Sequence, residues 1–246
     1  MSEAMIEMKN VEMSFAARGK RGERKQVLNG VNLTVAPGEI VGLAGESGSG
    51  KTTIAKLILG MHRPVGGSIE CREKAPQMVF QDPYASLNPA YSISWIMQEP
   101  LRLNTKLKAA ERLERVTQML HEVGLDETYL ERKPKELSGG QRQRICIGTA
   151  LMLDTKLLIA DEPVSALDVT VAAQVLSLLR RMQEERGLSM LFISHDLRTM
   201  YHFCHRILIL REGRIIEEGE PAKLYREPKE EYTRLLLQSA GIKARE

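Results

Sequence analysis

Long apolar runs are missing from this chain. No stretch approaches the roughly 20 residues that a bilayer-spanning helix needs, so any membrane process it serves relies on other chains for the spanning. Cysteine is scarce: Cys71, Cys146 and Cys204 lie far apart and form no C-x-x-C pair. That argues for a reduced, cytosolic protein and against a disulfide frame. Strong charge of one sign is also missing. The 35 Lys and Arg against 32 Asp and Glu leave a net +3, too mild to mark a nucleic-acid partner. The opening MSEAMIEMKN has no charged stretch leading into an apolar one, so no signal peptide is expected. Internal repeats and low-complexity segments are absent from the sequence. What remains is ordinary globular composition, 43% hydrophobic and 27% charged over 246 residues. That length buries a substantial core and suits one α/β domain with an inserted subdomain.

Ile6–Phe15 alternates enough to predict an edge strand, and Val27–Val35 a second strand closed by the Pro37-Gly38 turn. Between them Arg18–Lys25 (RGKRGERK) is basic and Gly-interrupted. It reads as a solvated hairpin connection, with a membrane or nucleic-acid contact as the alternative. Glu39–Ala44 predicts a buried strand, Thr52–Leu59 a helix, and Met78–Phe80 the end of a short strand. From Asp82 to about Leu153 the pattern turns helical and polar, an inserted helical subdomain. Strands return at Leu157–Ala160, Met190–Ile193 and Ile207–Leu210, with a helix over Val169–Arg186. Strand, helix, strand in this order implies right-handed parallel crossovers and a sheet covered on both faces. The tail from Pro221 to Glu246 is expected to be helical and partly exposed.

Gly45-Glu46-Ser47-Gly48-Ser49-Gly50-Lys51-Thr52, with Thr53 following, fits G-x-x-x-x-G-K-[ST] between an apolar strand and a helix. Glycines let successive backbone N–H groups turn inward on phosphate oxygens. Lys51 supplies a point charge to the β- and γ-phosphates, the Thr52 hydroxyl suits Mg²⁺, and the helix start points its positive end at the same anion. Leu157–Glu162 ends an apolar strand in two carboxylates: Asp161 suits Mg²⁺ and Glu162 an attacking water. Alone, acidic strand ends are commonplace. Leu137-Ser138-Gly139-Gly140-Gln141 opens another helix whose N–H groups face an anion, or is simply a capped helix start.

Taken together, these residues resemble the ABC ATPase family over nearly the whole chain. The P-loop matches at Gly45–Thr52, the glutamine after a strand at Gln81, and the signature at Leu137–Gln141. The acidic strand end matches at Asp161 and Glu162, the S-x-L-D loop at Ser165–Asp168, and the switch histidine at His195. Phe15 is the counterpart of the family's adenine-stacking aromatic. The resemblance implies an α/β fold with a P-loop NTPase (RecA-like) core, N-terminal antiparallel β strands and an inserted helical subdomain. It implies one ATPase domain over 1–246: a core lobe at about 1–81 and 154–220, a helical subdomain at about 82–153, and a tail at about 221–246.

It also implies ATP and Mg²⁺ as cofactors. Gly45, Ser47, Gly48, Ser49, Gly50, Lys51, Thr52, Thr53 and Phe15 would hold ATP, and Thr52, Gln81 and Asp161 would hold Mg²⁺. Glu162 would be the base or water-orienting group, with His195 and Gln81 beside it. Ser138, Gly139 and Gly140 would cap the nucleotide of a facing second ATPase subunit, with Gln141 and Asp168 also among the ATP-binding residues, so that one chain has all the parts but no complete site.

Within the family, Gln77–Pro89 (QMVFQDPYASLNP) and the tail Glu227–Thr233 (EPKEEYT) look like the ATPases of peptide and nickel importers. That resemblance implies import of peptides or nickel and metal chelates at the cytoplasmic face of the cell membrane. Its partners would be a second ATPase, with a heterodimer favoured, two permeases, and indirectly a solute-binding protein; no nucleic acid is expected. The rival class, a soluble ABC ATPase acting on nucleic acid or ribosomes, would carry a long coiled coil or two ATPase domains, and the chain has neither. Three departures stand out: a short segment between Ser68 and Gln77, Gly148-Thr149 where Ala-Arg is common, and no cysteine cluster in the tail.

His202, Cys204 and His205 lie close together, but their spacing is not a usual zinc pattern. Trp95, the sole tryptophan, is expected in the core of the helical subdomain, with a permease contact as the alternative, and His62 and His121 on the surface.

Overall fold

The computed structural model describes residues 4–16 and 24–242. The greater part of the basic stretch, residues 18–23, lies outside the described residues.

Two sheets carry the fold. The smaller is antiparallel, with strands β1 (Ile6–Ala16), β2 (Arg24–Val35) and β4 (Gly66–Cys71) in the order β2-β1-β4. β1 is therefore the central strand and not an edge: Ile6 pairs with Val35 on one side and Cys71 on the other. β4 hid from the sequence pattern because GGSIEC opens on two glycines and carries little apolar alternation.

The larger sheet contains β3 (Ile40–Ala44), β5 (Gln77–Val79), β6 (Leu157–Asp161), β7 (Ser189–Ile193), β8 (Arg206–Arg211) and β9 (Arg214–Gly219), in the order β5-β6-β7-β3-β8-β9. Its first five members run parallel and β9 closes the edge antiparallel to β8. Every residue of β3, β6 and β7 is buried. Successive side chains point to opposite faces, so the runs feed two cores. Leu43, Ile159, Ile193 and Leu208 pack with α1 (Lys51–Ile58) and the antiparallel sheet. Ala44, Ala160, Phe192 and Ile209 face the helical side.

Helices α2 (Pro83–Ser86), α3 (Ile93–Asn104), α4 (Ala109–Glu122) and α5 (Gly139–Leu151) lie between β5 and β6 in the chain. α6 (Val169–Arg186) runs from an Asp168 cap to Gly187, whose φ of 62° ends it in the left-handed conformation. α7 (Leu197–Phe203), α8 (Pro221–Arg226) and α9 (Glu231–Ser239) complete the order.

Trp95 departs from expectation. It is 38% exposed, stacked on Tyr91 at 3.8 Å between ring centroids, with the Arg102 guanidinium over the Trp95 ring at 4.0 Å from its centroid. Tyr91 lies just before the Ser92 cap and Trp95 in the first turn of α3, so the stack joins the helix start to the segment that enters it.

Candidate functional site

The carboxyl ends of β3, β6 and β7 converge, the place where parallel α/β sheets bind ligands. They are sewn together by backbone: Glu162 N–H donates to the Ile193 carbonyl at 2.9 Å and Ser194 N–H to the Leu43 carbonyl at 3.4 Å. From β3 the chain enters the glycine-rich loop. A Cβ on Gly45 would sit 2.2 Å from the Leu210 carbonyl oxygen, and Gly45 holds φ 156°, so glycine is required there. Gly50, at φ 115°, then turns the chain into α1.

Lys51 Nζ donates to the carbonyls of Gly45 at 2.6 Å and Glu46 at 2.8 Å. Burial lowers the ammonium's pKa, against the pull of the Glu162, Asp161 and Glu46 carboxylates. The Thr52 hydroxyl donates to Asp161 Oδ2 at 3.3 Å. Burial raises the Asp161 carboxyl above its ordinary value, outweighing that hydrogen bond and the Lys51 charge. Ser49 Oγ is buried without a hydrogen-bond partner among the described residues.

One cleft of about 510 Å³ gathers Gly45, Ser47, Gly48, Gly50, Lys51, Thr52 and Thr53 from the loop, with Gln81, Asp161, Glu162 and His195 opposite. His195 Nδ1 lies 2.7 Å from a Glu162 oxygen. A second hollow, of about 520 Å³, is lined by Phe15, Asn29 and Glu212 and shares Val27 and Gly48 with the first. A loop of inward N–H groups and a lysine suits phosphates, and an adjoining aromatic suits a base. The His62 ring meets Phe15 edge-on at 5.4 Å between centroids, so His62 braces that aromatic and is more than a surface histidine.

The family model described as ABC transporter matches residues 28–165. The chain belongs to the ABC transporter family. It carries that family's ATPase. A dipeptide transport ATP-binding protein, DppF of Haemophilus influenzae, is 43% identical over 87% of this chain and 70% of its own. An oligopeptide transport ATP-binding protein, OppF of Streptococcus pyogenes, is 42% identical over 98% of this chain and 83% of its own. Among solved structures, a post-hydrolysis dimer of the ATP-binding cassette MJ0796 with ADP and Pi superimposes with a TM-score of 0.78. It is 28% identical over 88% of this chain and 99% of that one. The cbiO1 protein of Clostridium perfringens gives 0.80, at 25% identity over 97% and 98%.

The signature residues of this ABC ATPase stand apart from the Lys51 cleft, whose described lining includes none of Ser138, Gly139, Gly140 and Gln141. Ser138 Oγ accepts from Gln141 N–H at 3.3 Å and Ser138 N–H donates to Gln141 Oε1 at 2.9 Å, a reciprocal cap on α5. Asp168 also lies outside that cleft lining: its Oδ1 accepts from Val171 N–H at 3.0 Å and caps α6. His205, by contrast, is occupied structurally, its Nδ1 accepting from Ile40 N–H at 2.9 Å. Among the described residues no helix is long and apolar enough to cross a membrane.

Proposed function

We propose that this ATPase powers peptide import as one of two nucleotide-binding subunits on the cytoplasmic face of a membrane permease pair. The observation that carries the reading is the meeting of Lys51, Thr52, Gln81, Asp161, Glu162 and His195 in one cleft beside Phe15. Adenine lies over Phe15 and the triphosphate in the cradle of Gly45–Thr53. Mg²⁺ fits Thr52, Gln81 and Asp161, whose oxygens are hard donors, and when bound it neutralises phosphate charge. Glu162 orients the attacking water and takes its proton, with His195 beside it to steady the carboxylate. Residues 82–153 serve as the helical subdomain, and the exposed Tyr91–Trp95 stack on it offers an aromatic anchor to a permease.

Ser138, Gly139 and Gly140 start α5 away from the cleft, which supports their capping the nucleotide of a second subunit. Gln141 and Asp168 support that helix start and its neighbour. Peptides are the favoured cargo because the relatives named above are dipeptide and oligopeptide transport proteins.

The reading is tested in a deletion strain with the gene restored or omitted, supplied with an essential amino acid only as a peptide. Growth should require the restored gene, and Lys51→Ala should not support it. Normal growth of the deletion strain on peptide, with loss of nickel uptake instead, overturns the peptide assignment.

A further inference from the structure

The chain beyond residue 165 lies outside the segment that the family model matches, yet its last helix reaches the phosphate loop. Tyr232, in the first turn of α9, is 7% exposed. Glu46 N–H donates to its phenol oxygen at 3.2 Å, a contact between residues 186 positions apart. The same residue, Glu46, offers its carbonyl to Lys51 Nζ at 2.8 Å. Glu46 is thus pinned at both backbone groups, by Tyr232 on its N–H and by Lys51 on its oxygen. The Tyr232 ring is held in turn by the Arg211 guanidinium, 4.8 Å from its centroid. Burial first, and then the nearby Glu46 carboxylate, raise the phenol's pKa against the opposing pull of the Glu46 N–H bond and the Arg211 charge, so the hydroxyl stays neutral at neutral pH.

The other end of this segment grips the histidine side of the cleft. The Tyr225 hydroxyl donates to the Leu197 carbonyl, and Arg198 Nε donates to the Ala240 carbonyl at 3.0 Å. Leu197 and Arg198 open α7, directly after His195 and Asp196. α9 is therefore fixed to the segment carrying His195 while its tyrosine holds the loop carrying Lys51.

We propose that Tyr232 is a positioning residue of the nucleotide site: its hydroxyl fixes the Glu46 peptide on which Lys51 rests, so the C-terminal helix sets ATP affinity. The inference rests on the reading of Gly45–Thr53 as the ATP cradle. A packing role alone would need only the ring. The hydroxyl is the part that reaches the loop.

The test compares the full-length protein with Tyr232→Phe, which keeps the ring on Arg211 and removes one oxygen. Titration with a fluorescent N-methylanthraniloyl ATP in the presence of Mg²⁺ should give a Kd raised about threefold to tenfold, the size of one lost hydrogen bond. KM for ATP should rise in parallel, while kcat at saturation stays at the wild-type value and the melting temperature falls by no more than the few degrees one hydrogen bond contributes. Unchanged affinity in Tyr232→Phe overturns the proposal. So does a weakened affinity accompanied by a melting temperature lowered well beyond the worth of one hydrogen bond, because the effect would then be structural. Lys51→Ala in the same titration separates the two readings. If it binds as wild type does, the cradle assignment fails and this proposal with it. If it loses binding while Tyr232→Phe keeps it, only the role of Tyr232 fails.

Discussion

Glu162 and His195 come from the ends of adjacent parallel strands and meet at 2.7 Å between Nδ1 and a carboxylate oxygen. Glu162 holds φ 52°, a left-handed conformation that costs a non-glycine residue about 1–3 kcal/mol. Its N–H is tied to the Ile193 carbonyl, which keeps it there. The strain turns the side chain toward His195 and the Lys51 cleft, where a water attacking a bound γ-phosphate would lie.

Glu162→Gln keeps the shape and removes the proton acceptor. Hydrolysis should fall by about 10²–10⁴-fold while ATP binding persists. With hydrolysis blocked, ATP should hold two subunits together, seen as a dimer in size-exclusion chromatography with ATP and a monomer without it. Turnover equal to wild type in a phosphate-release assay would remove Glu162 from the mechanism.

Asp161 gives a prediction whose sign follows from its raised pKa. A carboxyl raised on folding binds its proton more tightly in the folded state than in the unfolded one. Its contribution to stability is therefore present below the unfolded value and lost as pH rises through the folded one. At neutral pH without Mg²⁺ the ionised, buried Asp161 costs stability. Asp161→Asn should then melt higher than wild type at neutral pH, and the gap should close in acid as wild-type Asp161 takes up its proton. Mg²⁺ should raise the melting temperature of wild type and not of the variant. An Asp161→Asn protein that melts lower across the range would contradict the burial cost, and an equal rise with Mg²⁺ in both proteins would contradict the metal role.

The residues that line the Lys51 cleft were readable because each group is contiguous: eight residues of loop, two carboxylates at one strand end, one histidine at another. The parallel strands were readable because short apolar runs such as IVGLA have no other comfortable place. What escaped was set by distant pairing. β1 looked like an edge because its partner β4 has too few apolar residues to announce itself. Trp95 looked like core because tryptophan is large and apolar, but a neighbouring tyrosine and arginine cover its faces on the surface. The contacts of Tyr232 with Glu46 and of His62 with Phe15 leave no local pattern at all, since nothing in the spacing of either residue points to its partner.

The thiols should separate by environment. Burial, helped by the Asp82 charge, pushes Cys146 up to about 12, and burial raises Cys204 further still. Only the thiolate reacts, so both should resist a disulfide reagent near pH 8 in the native protein. Cys71 is half-buried and less strongly affected, and should be modified first, slowly. Counting released chromophore before and after denaturation checks this; rapid native labelling of two or more thiols would contradict it.

Gly140 sets helix propensity against packing. Alanine in place of glycine within a helix gains about 1 kcal/mol, since less backbone entropy is lost. At this position, however, a Cβ would lie 2.2 Å from Val171 Cγ1, where the start of α5 meets the start of α6. Val171 cannot easily swing aside, because its branched side chain is stiff and Asp168 holds its N–H at 3.0 Å. Overpacking of this kind costs about 1–3 kcal/mol, so Gly140→Ala should destabilise on balance. Pairing it with Val171→Ala removes the overlap and leaves the propensity gain, so the double variant should melt at or above Val171→Ala alone. Hydrolysis distinguishes packing from capping. If Gly140 also meets the partner subunit's nucleotide, the added methyl stays in the way after the overlap is relieved, and the stable double variant should still hydrolyse ATP slowly. Full recovery of turnover along with stability would show that Gly140 serves the α5–α6 contact alone.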